Sequence, residues 1–208
     1  MSPLSYIHHF EPGTNPAAPP VLLLHGTGGD ETSLLAIGRQ FSPGSALLSP
    51  RGDVLENGAP RFFRRIAEGV FDLAEVEQRT HALADFILAA AARYDLATTR
   101  LVALGFSNGA NTAASLLLLR PEVLAHAVLL RPMVVLQPAQ TPALDGHQVL
   151  ISAGQFDPLM PADHPEKLAA LLRRGGAEVT VCVHAASHQL VPADHAVAGA
   201  FFAQLNSR

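Results

Sequence analysis

The sequence predicts an α/β fold with a mostly parallel central sheet of about seven strands and helices on both faces. Short apolar runs without polar alternation recur along the chain, as expected for strands buried on both faces of a parallel sheet. Segments with helical periodicity lie between these runs. The length of 208 residues and the apolar fraction of 49% fit a single domain, residues 1–208, with a full hydrophobic core.

The elements are assigned in chain order from these two patterns. The predicted strands are 4–10, 21–24, 45–49, 101–104, 124–130, 148–153 and 178–184. The predicted helices are 32–41, 73–94, the part of 101–120 that follows its turn, 165–174 and 192–205.

Residues 50–72 interrupt the alternation and predict a long, irregular insertion on the substrate side of the sheet. Its arginines suggest an anionic substrate, but an equal number of carboxylates balances them. The arginines are Arg51, Arg61, Arg64 and Arg65, and the carboxylates are Asp53, Glu56, Glu68 and Asp72. We therefore expect a neutral, internally paired loop whose phenylalanines, Phe62, Phe63 and Phe71, line a pocket.

Composition argues against several kinds of partner. The formal charge of −4 and the pI near 6.2 disfavour a nucleic-acid partner, which needs a basic face. The single cysteine, Cys182, excludes an internal disulfide and fits a reducing compartment. We see no signal peptide and no run of 18 apolar residues. The expectation is a cytoplasmic protein with no membrane span.

The segment 101–120 carries the strongest functional signal. Four apolar residues run into Gly105-Phe106-Ser107-Asn108-Gly109, and a helical stretch follows until Pro121. A G-x-S-x-G motif between a buried strand and a helix is typical of a nucleophile elbow, in which a sharp turn lifts the serine oxygen above the sheet. Both glycines are needed because a Cβ on either side would collide across so tight a turn. We predict that Ser107 is a nucleophile.

A nucleophilic serine needs a base, an orienting acid and an oxyanion hole. Asp157 and His188 each follow a predicted strand, at the edge of the sheet where Ser107 lies. His188 is predicted to take the Ser107 proton, and Asp157 to fix and stabilise the imidazole. Three residues are weaker alternatives: His184 as the base, and Asp145 or Asp163 as the acid.

The second strand ends in His25-Gly26-Thr27-Gly28-Gly29-Asp30-Glu31. A dinucleotide-binding loop would need glycine at position 31, and a phosphate loop would need a following lysine, so nucleotide binding is disfavoured. We interpret the segment as an oxyanion-hole loop, with the backbone N–H groups of Thr27 and Asn108 as donors. His25, Gly26, Met133 and Leu159 complete the predicted pocket.

No metal site is expected at the adjacent histidines His8 and His9. His8 and His9 are adjacent in a predicted strand, so their side chains would point to opposite faces of the sheet.

These motifs resemble those of the phospholipase/carboxylesterase branch of the α/β-hydrolases, which includes acyl-protein thioesterases. The resemblance covers nearly the whole chain and rests on residues 24–31, 105–110, 154–158 and 187–188. Residues 50–52 and 61–65 are similar to a bacterial subgroup containing hydroquinone-inducible hydrolases. The resemblance implies an α/β-hydrolase fold and a small, cofactor-free serine esterase, often a homodimer. Asn108 replaces the glutamine usual in the thioesterases, which puts thioesterase specificity in doubt.

The leading hypothesis is therefore a hydrolase of carboxylic esters with small to medium acyl chains, acting on a small-molecule substrate through an acyl-enzyme on Ser107. Two alternatives stay open. One is an acyl-thioesterase or lysophospholipase, and the other is a non-catalytic ligand receptor on the same fold.

Overall fold

The computed structural model describes residues 4–206 and contains a seven-stranded sheet with helices on both faces. The strands in the described residues are β1 (His8–Glu11), β2 (Val21–Leu24), β3 (Leu47–Pro50), β4 (Val54–Glu56), β5 (Ala59–Arg61), β6 (Arg65–Ala67), β7 (Val70–Phe71), β8 (Val102–Phe106), β9 (His126–Leu130), β10 (Gln148–Gly154) and β11 (Glu178–His184). The central sheet has the order β1-β3-β2-β8-β9-β10-β11. Only the β1–β3 pair within it is antiparallel, so the predicted fold class is confirmed.

The α-helices pack on the two faces of this sheet. They are α1 (Leu35–Phe41), α2 (Leu73–Tyr94), α3 (Asn108–Leu119), α4 (His164–Arg174) and α5 (Pro192–Asn206). Helices α2, α3 and α4 cover one face, and α1 and α5 cover the other. In β2, Leu22 and Leu24 pack against the first group while Val21 and Leu23 pack against the second. Burial on both faces explains why the strand sequences are continuously apolar.

Four predicted elements start at least two residues later than expected. Strand β1 begins at His8 rather than at residue 4, and β3 begins at Leu47 rather than at residue 45. Helix α1 begins at Leu35 rather than at residue 32, because the Asp30 carboxylate accepts hydrogen bonds from the Thr32 N–H and the Ser33 hydroxyl in a local turn. Strand β9 begins at His126 rather than at residue 124, after a short 3₁₀ turn at Pro121–Val123.

The prediction of an irregular insertion at 50–72 is wrong. The segment forms two small antiparallel hairpins, β4–β5 and β6–β7. Asn57 and Gly58 connect the first pair with φ angles of 51° and 82°, the left-handed region that a two-residue hairpin turn requires. Asn-Gly is a strong hairpin signal in a sequence, and Gly69 has a similar φ of 72° in the second hairpin.

The prediction of internal charge pairing in the insertion is correct only in part. Arg65 pairs with Glu56 at 2.7 Å and also with Glu68, as expected. Other charges pair outside the segment, because the hairpins fold back onto the oxyanion loop and α2. These external pairs are Arg51–Glu31, Arg64–Glu75 and Asp53–Arg79, and Asp72 caps α2 through the Glu75 N–H.

Residues 1–3 and 207–208 of the predicted domain lie outside the described residues. Over residues 4–206, no helix is both long enough and apolar enough to cross a bilayer.

Candidate active site

Ser107 occupies the turn between β8 and α3, at the carboxyl edge of the sheet. Its φ of 52° and ψ of −114° are strained for a residue with a side chain. Two hydrogen bonds hold this conformation: the Ser107 N–H donates to the Leu130 carbonyl at 2.8 Å, and the Ser107 carbonyl accepts from the Asn111 N–H at 2.9 Å. The turn therefore presents the hydroxyl above the sheet, as the motif predicts.

The glycines of the motif are required by close backbone contacts. A Cβ on Gly105 would lie 2.5 Å from the carbonyl oxygen of Gly109, and a Cβ on Gly109 would lie 1.9 Å from that of Leu24. Both neighbours are backbone atoms that cannot move aside. The first turn of α3 thus packs directly on the end of β2, which brings the oxyanion loop beside Ser107.

A chain of hydrogen bonds links the three predicted catalytic side chains. His188 Nε2 lies 2.9 Å from Ser107 Oγ, and His188 Nδ1 lies 2.8 Å from Asp157 Oδ2. An ionised carboxylate only accepts, so His188 Nδ1 carries the proton and Nε2 is free to accept from the serine hydroxyl. The buried Asp157 is itself fixed by the Leu159 N–H, which donates to Oδ1 at 2.9 Å. The arrangement suits proton transfer from the serine hydroxyl.

The alternative acids and base have other surroundings. His184 lies 3.8 Å from Asp194. Asp163 stands at the N-cap position of α4 without a capping hydrogen bond, and its carboxylate pairs with Lys167 at 2.6 Å. Asp145 precedes β10, at the opposite edge of the sheet from Ser107.

The predicted oxyanion-hole loop, residues 25–31, is held by the side chain of His25, which is fully buried beneath it. His25 Nδ1 donates to the Gly26 carbonyl at 2.7 Å, and Nε2 accepts from the Gly52 N–H at 2.9 Å. Burial lowers the pKa of His25, although the hydrogen bond to Gly26 opposes this effect. The neutral imidazole therefore joins the loop after β2 to the insertion through one hydrogen bond to each. Its prediction as a pocket residue is wrong.

A cavity of about 350 Å³ opens over Ser107. Its walls are formed by Thr27, Arg61, Arg65, Glu68, Phe71, Phe106, Ser107, Asn108, Asn111, Arg131, Met133, Leu159, Met160, His188 and Gln189. The two predicted oxyanion donors, Thr27 and Asn108, thus lie at the same cavity as the nucleophile. Of the predicted pocket residues, Phe71, Met133 and Leu159 line it.

Four predicted pocket residues are absent from this wall: His25, Gly26, Phe62 and Phe63. The Phe62 ring is buried against the His25 ring, with centroids 4.8 Å apart. The Phe63 ring is buried behind Phe71, edge to face at 5.5 Å. Gly26 packs on the Phe106 ring, which a Cβ would approach to 2.9 Å. The two phenylalanines therefore support the wall rather than form it.

Several arginines at the cavity were not predicted as site residues. Arg61 is buried and donates to the Thr27 hydroxyl at 2.5 Å and to the Phe63 carbonyl at 3.1 Å. Burial lowers the pKa of Arg61, while the charge of Glu56, 3.5 Å away, opposes this. Arg131 follows β9 directly. That is the same positional signal, a polar residue just after a buried strand, that identified Asp157.

Comparison with known proteins assigns the family. No model of a known protein family matches the chain. The chain is 46% identical over 183 residues to a Bacillus subtilis protein named "Putative hydrolase MhqD", an alignment covering 88% of this chain and 90% of the relative. The chain belongs to the phospholipase/carboxylesterase family of α/β-hydrolases. The resemblance predicted from the motifs is confirmed.

Solved structures agree with this phospholipase/carboxylesterase assignment. A Bacillus cereus carboxylesterase superposes with a TM-score of 0.94 at 41% identity, covering 97% of this chain and 95% of that one. A carboxylesterase from Mesorhizobium loti gives a TM-score of 0.84 at 36% identity, with 89% and 88% covered. These relatives support a hydrolase.

Proposed function

We propose that the protein is a serine hydrolase that cleaves carboxylic esters with small to medium acyl chains. The observation that carries the proposal is the hydrogen-bonded chain from Ser107 through His188 to Asp157 at the wall of the cavity. Carboxylesterases at 36% and 41% identity support the same reaction class.

Acylation begins when Ser107 Oγ attacks the ester carbonyl carbon. His188 Nε2 takes the hydroxyl proton as the new C–O bond forms, and the Asp157 carboxylate stabilises the resulting imidazolium. The N–H groups of Thr27 and Asn108 donate to the oxyanion of the tetrahedral intermediate, each contributing about 3 kcal/mol to its stabilisation. When the intermediate collapses, the alkoxide leaves with the proton that His188 returns, and the acyl group remains on Ser107.

Deacylation repeats these steps with water. His188 Nε2 removes a proton from a water molecule as its oxygen attacks the acyl carbon, and the same two N–H groups hold the second oxyanion. Ser107 then leaves with the proton from His188. Carboxylic acid is released, and the free hydroxyl is restored.

The cavity supports small to medium substrates. Its volume of about 350 Å³ lies at the low end of the range for ligand pockets, roughly 300–1,000 Å³. The charged groups at its wall are paired, Arg65 with Glu68 and Arg131 with Asp194. A paired wall favours a neutral ester over a substrate that carries its own charge.

The test is hydrolysis of p-nitrophenyl esters of graded chain length by the purified protein. We expect the highest kcat/KM for short and medium acyl chains, and loss of turnover in Ser107→Ala. Ser115→Ala is the matched control, because Ser115 is buried in α3, the helix that follows Ser107, and its hydroxyl donates to the Asn111 carbonyl. Full turnover by Ser107→Ala would overturn the proposal. A preference for long-chain acyl thioesters or lysophospholipids would redirect its substrate class.

A further inference from the structure

Arg131, at the wall of the cavity, donates five side-chain hydrogen bonds. It follows β9 with a φ of 58°, and its guanidinium is completely buried. Nη1 and Nη2 donate to the two carboxylate oxygens of Asp194 at 2.6 and 2.7 Å. Nη1 also donates to the Ser152 carbonyl at 3.3 Å. This buried ion pair has no part in the proton transfers described above.

The remaining donors of Arg131 point at the loop that carries His188. Nε donates to the Ser187 carbonyl at 3.1 Å, and Nη2 donates to the Gln189 carbonyl at 3.0 Å. These carbonyls belong to the residues immediately before and after His188. A single rigid group therefore holds the backbone on both sides of the imidazole.

We propose that Arg131 is a positioning residue that sets His188 in line with Ser107 by holding the carbonyls of Ser187 and Gln189. The proposal rests on the serine-hydrolase function proposed above. His188 lies on an irregular loop between β11 and α5, so the central sheet does not fix its backbone directly. Arg131 supplies this restraint from the end of β9, which pairs with β8, the strand that directly precedes Ser107.

Asp194 orients the guanidinium from the first turn of α5. Besides binding Arg131, its carboxylate accepts from the Ser152 hydroxyl at 2.6 Å and from the Val191 N–H at 2.8 Å. Burial alone would raise the pKa of Asp194, but the hydrogen bonds from Arg131, Ser152 and Val191 outweigh it and lower the pKa. Asp194 thus remains an anion. Its carboxylate fixes the plane of the Arg131 guanidinium, and its bond to the Val191 N–H fixes the C-terminal end of the loop that carries His188.

A role in positioning His188 explains the buried Arg131–Asp194 ion pair better than a contribution to stability does. The cost of removing two charges from water largely offsets their attraction, so buried ion pairs add little net stability compared with apolar groups of similar volume. A guanidinium, however, presents five N–H donors in a fixed plane, which lets it bind a carboxylate and three carbonyls at once. A lysine at the same position could not satisfy all of these acceptors.

The central experiment replaces the pair by apolar groups, in Arg131→Met/Asp194→Leu. Apolar replacement of a buried pair is often neutral for the pair itself, but the Ser152 hydroxyl and the Val191 N–H lose their acceptor, so we expect a folded protein with a lowered melting temperature. We expect kcat to fall about 100-fold, as a small misplacement of a catalytic group can cause, with little change in KM. The far-downfield proton resonance of the His188 Nδ1–H should broaden or disappear. That readout does not depend on turnover.

Two further variants separate positioning from a merely structural role. Arg131→Lys keeps the charge but lacks the planar fork, so it should stay folded and still lose most of kcat. Arg131→Ala opens space at the cavity wall, and added guanidinium ion, but not equal sodium chloride, should restore part of kcat. The control Arg120→Met/Asp85→Leu removes a partly exposed pair at the end of α3 and should leave kcat unchanged.

The outcomes distinguish this inference from the proposed function. Folded Arg131 variants with wild-type kcat and an intact His188 resonance would overturn the positioning role. A loss of kcat that only follows a loss of melting temperature, without rescue by guanidinium, would overturn it as well. Failure of the proposed function looks different, because the wild type would then lack esterase turnover or Ser107→Ala would retain it.

Discussion

The Asn108 side chain accepts a hydrogen bond from the Phe62 N–H at 2.9 Å, which joins the insertion to the residue that follows the nucleophile. Both groups are buried. The bond places the segment after β5 against the start of α3, so one contact fixes both this part of the insertion and the residue whose backbone N–H is the proposed oxyanion donor. In the predicted mechanism only the backbone of Asn108 is used, and its side chain has this separate structural role.

We expect Asn108→Ala to destabilise the protein while retaining the backbone donor at position 108. The Phe62 N–H would be left buried without its acceptor, which costs about 1–3 kcal/mol of unfolding free energy. Chemical denaturation measures the loss. In the exposed control, Asn15→Ala, the lost acceptor of the Ala17 N–H is replaced by water, so the change should be much smaller. Equal losses in the two variants would contradict the assigned contact.

Gly109→Ala should be among the most damaging single-methyl additions in the chain. Its Cβ would lie 1.9 Å from the Leu24 carbonyl oxygen, so α3 would have to move away from β2. We expect a loss of about 3 kcal/mol or more, or failure to fold. Gly199→Ala is the matched control in α5, where the nearest atom to the new Cβ is 3.9 Å away. That variant should gain about 0.5–1 kcal/mol from the reduced freedom of the unfolded chain.

The neutral His25 predicts a pH dependence of stability. Burial lowers the pKa of His25 in the folded protein, so the folded protein binds this proton less tightly than the unfolded chain does. The stabilising contribution is therefore fully present above the unfolded pKa of about 6.5 and is lost as pH falls through the lower folded value. Melting temperatures from pH 8 to pH 5 should decline more in the wild type than in His25→Gln. The exposed control His81→Gln should follow the wild type.

Asp157→Asn should remove most of the turnover without unfolding the protein. An amide N–H facing His188 Nδ1 would move the imidazole proton to Nε2, which could then no longer accept from Ser107. In an analogous triad such a change lowers kcat by about 10⁴, and we expect a similar loss with short p-nitrophenyl esters. Asp163→Asn, the exposed carboxylate paired with Lys167, should keep wild-type kcat. If Asp163→Asn lost turnover and Asp157→Asn kept it, Asp163 rather than Asp157 would be the residue that orients His188.

Sequence reasoning predicted the parts of this molecule that depend on local patterns. Continuous apolar runs identified the strands of the parallel sheet, because such strands are buried on both faces. Ser107, Asp157 and His188 were found since each follows a strand, and carboxyl ends of parallel strands meet at one edge. The structure places all three in one hydrogen-bonded chain.

The cavity wall and the Arg131–Asp194 pair could not be predicted from the sequence, because they depend on the directions that side chains take in the folded protein. Phe62 and Phe63 are buried behind the cavity, whereas Arg61 beside them reaches its wall, and no local pattern separates these directions. The partner of Arg131 lies 63 residues away, so their pairing requires the folded sheet. The Asn57-Gly58 hairpin, in contrast, could have been predicted from its turn residues.

The central claim is that Ser107 is a nucleophile activated by His188, and covalent labelling tests it most directly. The native protein is treated with a fluorophosphonate, digested with trypsin and analysed by mass spectrometry. Trypsin cleaves after Arg100 but not before Pro121 or Pro132, so the peptide that contains Ser107 spans residues 101–167, and its fragmentation locates the adduct. We predict a single adduct on Ser107, absent in Ser107→Ala and after heat denaturation, and much slower to form in His188→Ala. Labelling of Ser107→Ala at the wild-type rate, or an active wild type that never labels at Ser107, would contradict the claim.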